Sequence, residues 1–198
     1  MTEVFLTIAS ITEGLYKSKG SKFISFAIPV HTVDEVKDII SAYRKKYHDA
    51  RHICYAYVLQ PDRSEFRAND DGEPSGTAGR PILGQINSRG LTNILVVVIR
   101  YFGGVLLGTG GLITAYKEAA SAALNDTVVV ERNVEVFCEI HFQYPLINEV
   151  MKLVKESDAI VNEQYFGNEC ILKCVVPMRM KNILFGKLNK INEVRIIL

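Results

Sequence analysis

The segment Asn69-Asp70-Asp71-Gly72-Glu73-Pro74-Ser75-Gly76-Thr77-Ala78-Gly79-Arg80 sets three carboxylates within four positions. Asp70, Asp71 and Glu73 are oxygen ligands of the kind a hard cation such as Mg²⁺ takes. Their spacing is not that of a calcium-binding D-x-[DN]-x-[DN]-G-x5-E loop, which excludes an EF-hand. The same residue types also serve a turn: Asp-Gly and Pro-Ser-Gly reverse the chain, and Ser75 or Thr77 can cap the helix that follows. Capping accounts for these residues without a metal. No metal is therefore assigned, and the role of the acidic turn stays open.

A second unusual stretch is Ile94 to Lys117, ILVVVIRYFGGVLLGTGGLITAYK. Ile94 to Ile99 is an unbroken apolar, mostly β-branched run, which predicts a strand covered on both faces. Gly103, Gly104, Gly108, Gly110 and Gly111 then predict a five-glycine loop, followed by a helix over Leu112 to Leu124. The start of a helix presents unpaired N–H groups and the positive end of the helix dipole, so it suits an anion. The Walker spelling is absent because no Lys follows Gly108 at the required place. The dinucleotide fingerprint fails at its third glycine, where Ile113 stands. A tight strand-to-helix turn remains the other reading of this stretch.

His48 and His52 lie four apart around Asp49, but zinc needs three or four ligands and no third is evident. Cys54, Cys138, Cys170 and Cys174 form no C-x-x-C pair, and each sits in an apolar or strand-like segment. Buried free thiols in a reducing compartment are expected. No set of nucleophile, base and orienting group can be chosen among these residues. Two local basic clusters stand out, one of Lys17, Lys19 and Lys22 and another of Arg44, Lys45, Lys46 and Arg51. Either is equally well a solvated face.

These residues need elements to place them. Strands are predicted near Val4–Ser10, Phe23–Val30, Arg51–Gln60, Glu65–Ala68 and Ile94–Tyr101, with a closing strand at Val128–Val130. Val33 to Tyr47 reads as an amphipathic helix, with Val33, Val36, Ile39, Ile40, Tyr43 and Tyr47 on one stripe. A second helix is predicted over Ala78–Ser88. This is an α+β pattern with a mixed sheet. Near residue 132 the pattern changes. Val134 to Phe142 alternates like a half-buried strand, Pro145 opens a helix, and a hairpin, a second helix and a last strand follow. The order βαββαβ is the ferredoxin-like arrangement. Two domains are expected, residues 1–132 and 133–198.

A net charge of +1 on 198 residues gives no long-range pull toward nucleic acid, so any such site must be a local patch. No run approaches the roughly 20 apolar residues of a membrane span. The first residues lack the basic and apolar regions of a signal peptide. A cytoplasmic protein is expected, with no membrane partner.

At this point the chain resembles the Impact/YigZ family. The matching residues are Lys19-Gly20-Ser21-Lys22-Phe23-Ile24, Asp49-Ala50-Arg51-His52 with Cys54, Tyr55 and Ala56, and the signature running from Asp70 through Pro81. Arg100-Tyr101-Phe102-Gly103-Gly104 and Leu107 to Leu112, with Ala115-Tyr116, complete the match. The resemblance implies a first domain like the fourth domain of elongation factor G, with a left-handed β-α-β crossover. It implies a small ferredoxin-like second domain like the fifth domain of that factor. Eukaryotic relatives act in translational control through an added N-terminal domain that this sequence lacks, so their partner is not carried over.

The expected function is a non-enzymatic protein associated with RNA or the ribosome and influencing translation, without cofactor and without DNA sequence specificity. Candidates for holding nucleic acid or another anion are Lys22, Arg51, His52, Arg80, Arg100, Tyr101, Gly108, Gly110 and Gly111, expected to meet at one surface. Alternatively Arg100 pairs with Asp70, Asp71 or Glu73 and fixes the loop. Two competing functions remain: a nucleotide- or phosphometabolite-binding enzyme using the glycine-rich stretch, and an adaptor that docks a protein on the open C-terminal sheet.

Overall fold

The computed structural model describes residues 3–198. The chain divides into two compact units, residues 5–132 and residues 133–198, with Glu3 and Val4 grouped with the latter.

The larger unit is built on a five-stranded sheet in the order β2-β3-β6-β4-β5. These strands are β2 (Thr12–Ser18), β3 (Ser21–Pro29), β4 (His52–Leu59), β5 (Glu65–Asn69) and β6 (Ile94–Tyr101). The apolar run Ile94–Ile99 is the central strand and is fully buried, because helices cover both faces of the sheet. Every neighbouring pair is antiparallel, which corrects the expected mixed sheet. An unbroken apolar run reports burial on both faces, and burial does not fix strand direction. β3 and β4 run parallel to each other on either side of β6, joined through α1 (Val33–Lys46).

α1 begins where Thr32 accepts the Glu35 N–H at 3.2 Å, and its Val36 and Ile40 pack on the odd-numbered residues of β4 and β6. The other face carries α2 (Gly79–Ser88) and α3 (Gly108–Asn125). Two further strands, β1 (Val4–Ile8) and β7 (Val129–Asn133), pair in a separate two-stranded sheet. β2 escapes sequence reading because TEGLYKS carries few apolar residues and a glycine. That Gly14 lies so close to α3 that a Cβ there would collide with the Ala123 backbone.

The smaller unit has the strand order β11-β8-β10-β9. β8 (Glu135–Phe142), β9 (Ile160–Phe166), β10 (Cys170–Pro177) and β11 (Arg195–Ile197) are antiparallel neighbours. α4 (Ile147–Glu156) and α5 (Met178–Leu188) follow β8 and β10, which completes βαββαβ. The helices share one core with Cys138, Ile140, Phe142 and Leu172. Phe137, Tyr165 and Ile197 belong to the exposed large apolar residues of this sheet.

Candidate nucleic-acid interface

Strand parity decides which candidates share a surface. His52 and Arg100 are direct cross-strand partners, and both belong to the α2–α3 side of the sheet. Lys22 pairs with Tyr101, and this pair belongs to the α1 side. Tyr101 donates its hydroxyl to Asp49 at 2.9 Å. Consecutive positions on one strand cannot face the same way, so Arg100 and Tyr101 separate. Arg80 sits exposed in the first turn of α2, away from the groove described below.

The acidic turn is satisfied from within. Asp70 accepts N–H groups from Gly76 at 2.8 Å, Ala78 at 2.9 Å and Gly79 at 2.8 Å. Burial works to raise its carboxyl pKa, but those three donors and the charge of Arg80 outweigh it, and the pKa lies below the ordinary value. Asp70 thus caps α2, the task expected of Ser75 or Thr77. Asp71 accepts from Arg44 at 2.5 and 3.3 Å and from the Ile53 N–H at 2.7 Å. Its carbonyl lies 2.8 Å from His52 Nδ1. Gly79 lets α2 start directly on β5, since a Cβ at that position would strike the Asn69 backbone.

Glu73 is the third carboxylate, and its side chain is only 3% exposed. Arg100 Nη1 donates to its Oε1 at 2.6 Å, and the Tyr116 hydroxyl donates to the same oxygen at 2.8 Å. His52 Nε2 stands 4.0 Å away. Cys54 Sγ continues the cluster, 3.3 Å from the Tyr116 hydroxyl and 3.0 Å from the Asp70 carbonyl. Burial raises both the Cys54 thiol and the Tyr116 phenol far above their ordinary values, so both stay protonated at neutral pH. A protonated, buried thiol is a poor nucleophile. The Arg100 guanidinium lies between the rings of Phe23 and Phe102, 5.6 Å from each centroid. Its Nε is buried and has no hydrogen-bond partner among the described residues.

Above this cluster opens a groove of about 430 Å³, lined by Arg51, His52, Glu73, Arg100, Phe102 and the segment Leu106–Thr109, among others. Its far wall is the start of α3. The helix takes in Gly108, Gly110 and Gly111, which corrects the expected five-glycine loop that ended only before Leu112. Low helix propensity is overridden here because Leu112, Ala115 and Tyr116 are buried against the sheet. Gly108 opens the helix at φ +69°, no side chain caps it, and its first turn contains no acid. Gly103 anchors the preceding loop: a Cβ there would collide with the backbone of Gly20, while its N–H reaches Ser21 Oγ at 3.2 Å. Past that anchor, Phe102, Val105 and Leu106 are 45%, 51% and 82% exposed.

The groove therefore joins four of the sequence candidates, Arg51, His52, Arg100 and Gly108, with Gly110 and Gly111 in the same helical turn. It omits Lys22, Arg80 and Tyr101. The exposed apolar loop from Phe102 to Leu106 and the Glu73–Tyr116 pairing went unread in the sequence. The loop's VLL run between glycines was the available signal. Among the described residues no helix is long and apolar enough to cross a membrane.

Residues 19–124 match the family model of the Impact N-terminal domain. The chain is 34% identical over 182 residues to the IMPACT family member YvyE of Bacillus subtilis, covering 92% of this chain and 84% of that protein. It is 36% identical over 150 residues to the IMPACT family member YigZ of Escherichia coli, covering 74% of each. A crystal structure described as that of an hypothetical protein superposes with a TM-score of 0.77 at 29% identity, over 100% of this chain and 98% of the other. The chain belongs to the IMPACT family.

Proposed function

We propose that this protein is a non-enzymatic RNA- or ribosome-associated factor of the cytoplasm that influences translation, and that it holds RNA at the groove in front of α3. The observation that carries this reading is the bare start of α3. An 18-residue helix ends there without a capping side chain or an acid, and it faces a groove that also holds Arg51 and His52. Free N–H groups and the helix dipole favour an anion at that place. Arg51 is exposed and supplies a mobile charge, whereas Arg100 is committed to Glu73 and shapes the floor. Exposed Phe102 and Leu106 offer apolar surface on which unpaired bases can stack, worth about 1–3 kcal/mol per base for an aromatic ring.

The likeness to the last two domains of elongation factor G supports the same reading. Its bases are the split β-α-β unit and the βαββαβ order of the smaller unit. Each unit is taken to be a domain that folds alone, 1–132 and 133–198, with Glu3 and Val4 joining the second.

The experiment is fluorescence anisotropy with a twelve-nucleotide uridine RNA across a salt series. Counterion release makes log affinity fall linearly with log salt. Arg51→Ala reduces the slope by about one unit. Arg100→Ala lowers the melting temperature and leaves the slope as it was. Equal slopes for the wild type and Arg51→Ala defeat the assignment. A nucleotide enzyme would need the same helix start, so a saturable rise in melting temperature with ATP and Mg²⁺ would favour that alternative.

A further inference from the structure

The outer edge of β5 and the groove beside it belong to no function described above. β5 is the last strand of its sheet and pairs only with β4, so its other edge presents unpaired N–H and C=O groups at strand spacing. Next to it, between α1 and the β4–β5 pair, lies a groove of about 350 Å³. Lys37, Arg44 and Arg67 line it together with apolar Val36 and Ile40, and no carboxylate is among the lining residues. Lys37 and Arg44 have acidic partners in Asp34 and Asp71. Arg67 makes no side-chain hydrogen bond or ion pair among the described residues, and it is exposed.

Register fixes what an added strand would meet. Arg67 pairs with Tyr57, on the α1 side, while Phe66 pairs with Val58, on the α2–α3 side, and is 61% exposed. An aromatic side chain left open on a strand edge is a liability unless something covers it.

We propose that the free edge of β5 docks an extended peptide in which acidic and apolar side chains alternate. The peptide backbone extends the sheet. Its acidic side chains fall on the groove side toward Arg67, and its apolar ones fall on the other side toward Phe66. Charge complementarity selects the acid, and the row of backbone groups selects a peptide over a nucleic acid, whose repeat does not match strand spacing.

The test is anisotropy on the full chain with fluorescein-labelled Glu-Val-Glu-Val-Glu-Val at low salt. Three comparators are a version N-methylated at alternate residues, the Lys-Val counterpart and a twelve-nucleotide uridine RNA. The acidic peptide binds saturably below millimolar concentration, the N-methylated and Lys-Val peptides do not, and Arg67→Glu weakens binding by about fivefold or more. Phe66→Ser weakens it as well, and both variants keep the wild-type melting temperature because the replaced side chains are exposed. No saturable binding, binding indifferent to N-methylation, or binding indifferent to Arg67→Glu overturns the proposal. RNA binding that is lost in Arg67→Glu, with no peptide binding, assigns the groove to nucleic acid and overturns it equally.

Discussion

Two stretches of the larger unit look alike in sequence and differ in what they leave unsatisfied. The acidic turn from Asn69 to Arg80 and the glycine stretch from Phe102 to Leu112 are both rich in groups that bind ligands. In the first, every carboxylate has found partners within the chain: helix N–H groups for Asp70, Arg44 for Asp71, Arg100 and Tyr116 for Glu73. In the second, the first turn of α3 has neither cap nor acid. Residue type alone marks where polar groups are concentrated. Only the geometry shows which of them have been used up, and the unused ones are where a ligand gains most.

The comparison breaks most visibly at Glu73. Glu73→Ala leaves the buried Arg100 without its carboxylate, and the expected loss is about 3–5 kcal/mol by urea denaturation. A loss under about 1 kcal/mol would mean that solvent or another group takes over, and that the acidic turn is not internally closed.

Next in size is Gly103→Ala. The new Cβ meets the Gly20 backbone rather than a flexible side chain, so a loss of about 1–3 kcal/mol is expected from overpacking. Gly110→Ala makes the contrast sharper, because a Cβ there meets nothing within 4 Å. In a helix that change should stabilise by up to about 1 kcal/mol. Opposite signs for two glycines of one stretch would separate structural closeness from helix propensity.

Asp70→Asn tests the cap. It should cost about 1–2 kcal/mol at neutral pH, the usual worth of a helix cap. Because the folded pKa of Asp70 lies below its unfolded value, the native state favours the ionised carboxylate. That stabilisation is complete above the unfolded value of about 3.9 and is lost as pH falls through the lower folded value. The gap in melting temperature between wild type and Asp70→Asn should therefore close below about pH 4. A gap that is constant from neutral pH to that range would show that the carboxylate charge is not what holds α2.

Much of the fold was legible because burial writes itself in periodicity. The run Ile94–Tyr101 is β6 to the residue, α1 differs from its expected span only at its end, and the βαββαβ order of the smaller unit follows from Pro145, Gly167-Asn168 and Pro177 as punctuation. Strand direction was not legible in β6, since an apolar run buried on both faces reads the same in parallel and antiparallel sheets. β2 was not legible because α3 covers it through a glycine and long-range packing. The candidate site was half legible. Arg51, His52 and Arg100 meet as expected, but Lys22 and Tyr101 lie across the sheet, a consequence of the two-residue strand period. The pairing of Glu73 with Arg100 and Tyr116 joins residues 27 and 43 positions apart, and no local pattern encodes such a separation.

The claim that the start of α3 is a vacant anion site is tested most directly by Thr109→Asp. Thr109 is exposed in the first turn of the helix and lines the groove. An acid there complements the helix dipole, so stability should rise by about 0.3–1 kcal/mol. The same charge fills the site, so affinity for the uridine RNA should fall and its salt slope should become shallower by about one unit. A protein that gains stability while losing RNA is what this account predicts. Unchanged RNA affinity and slope in a variant that folds normally would contradict it.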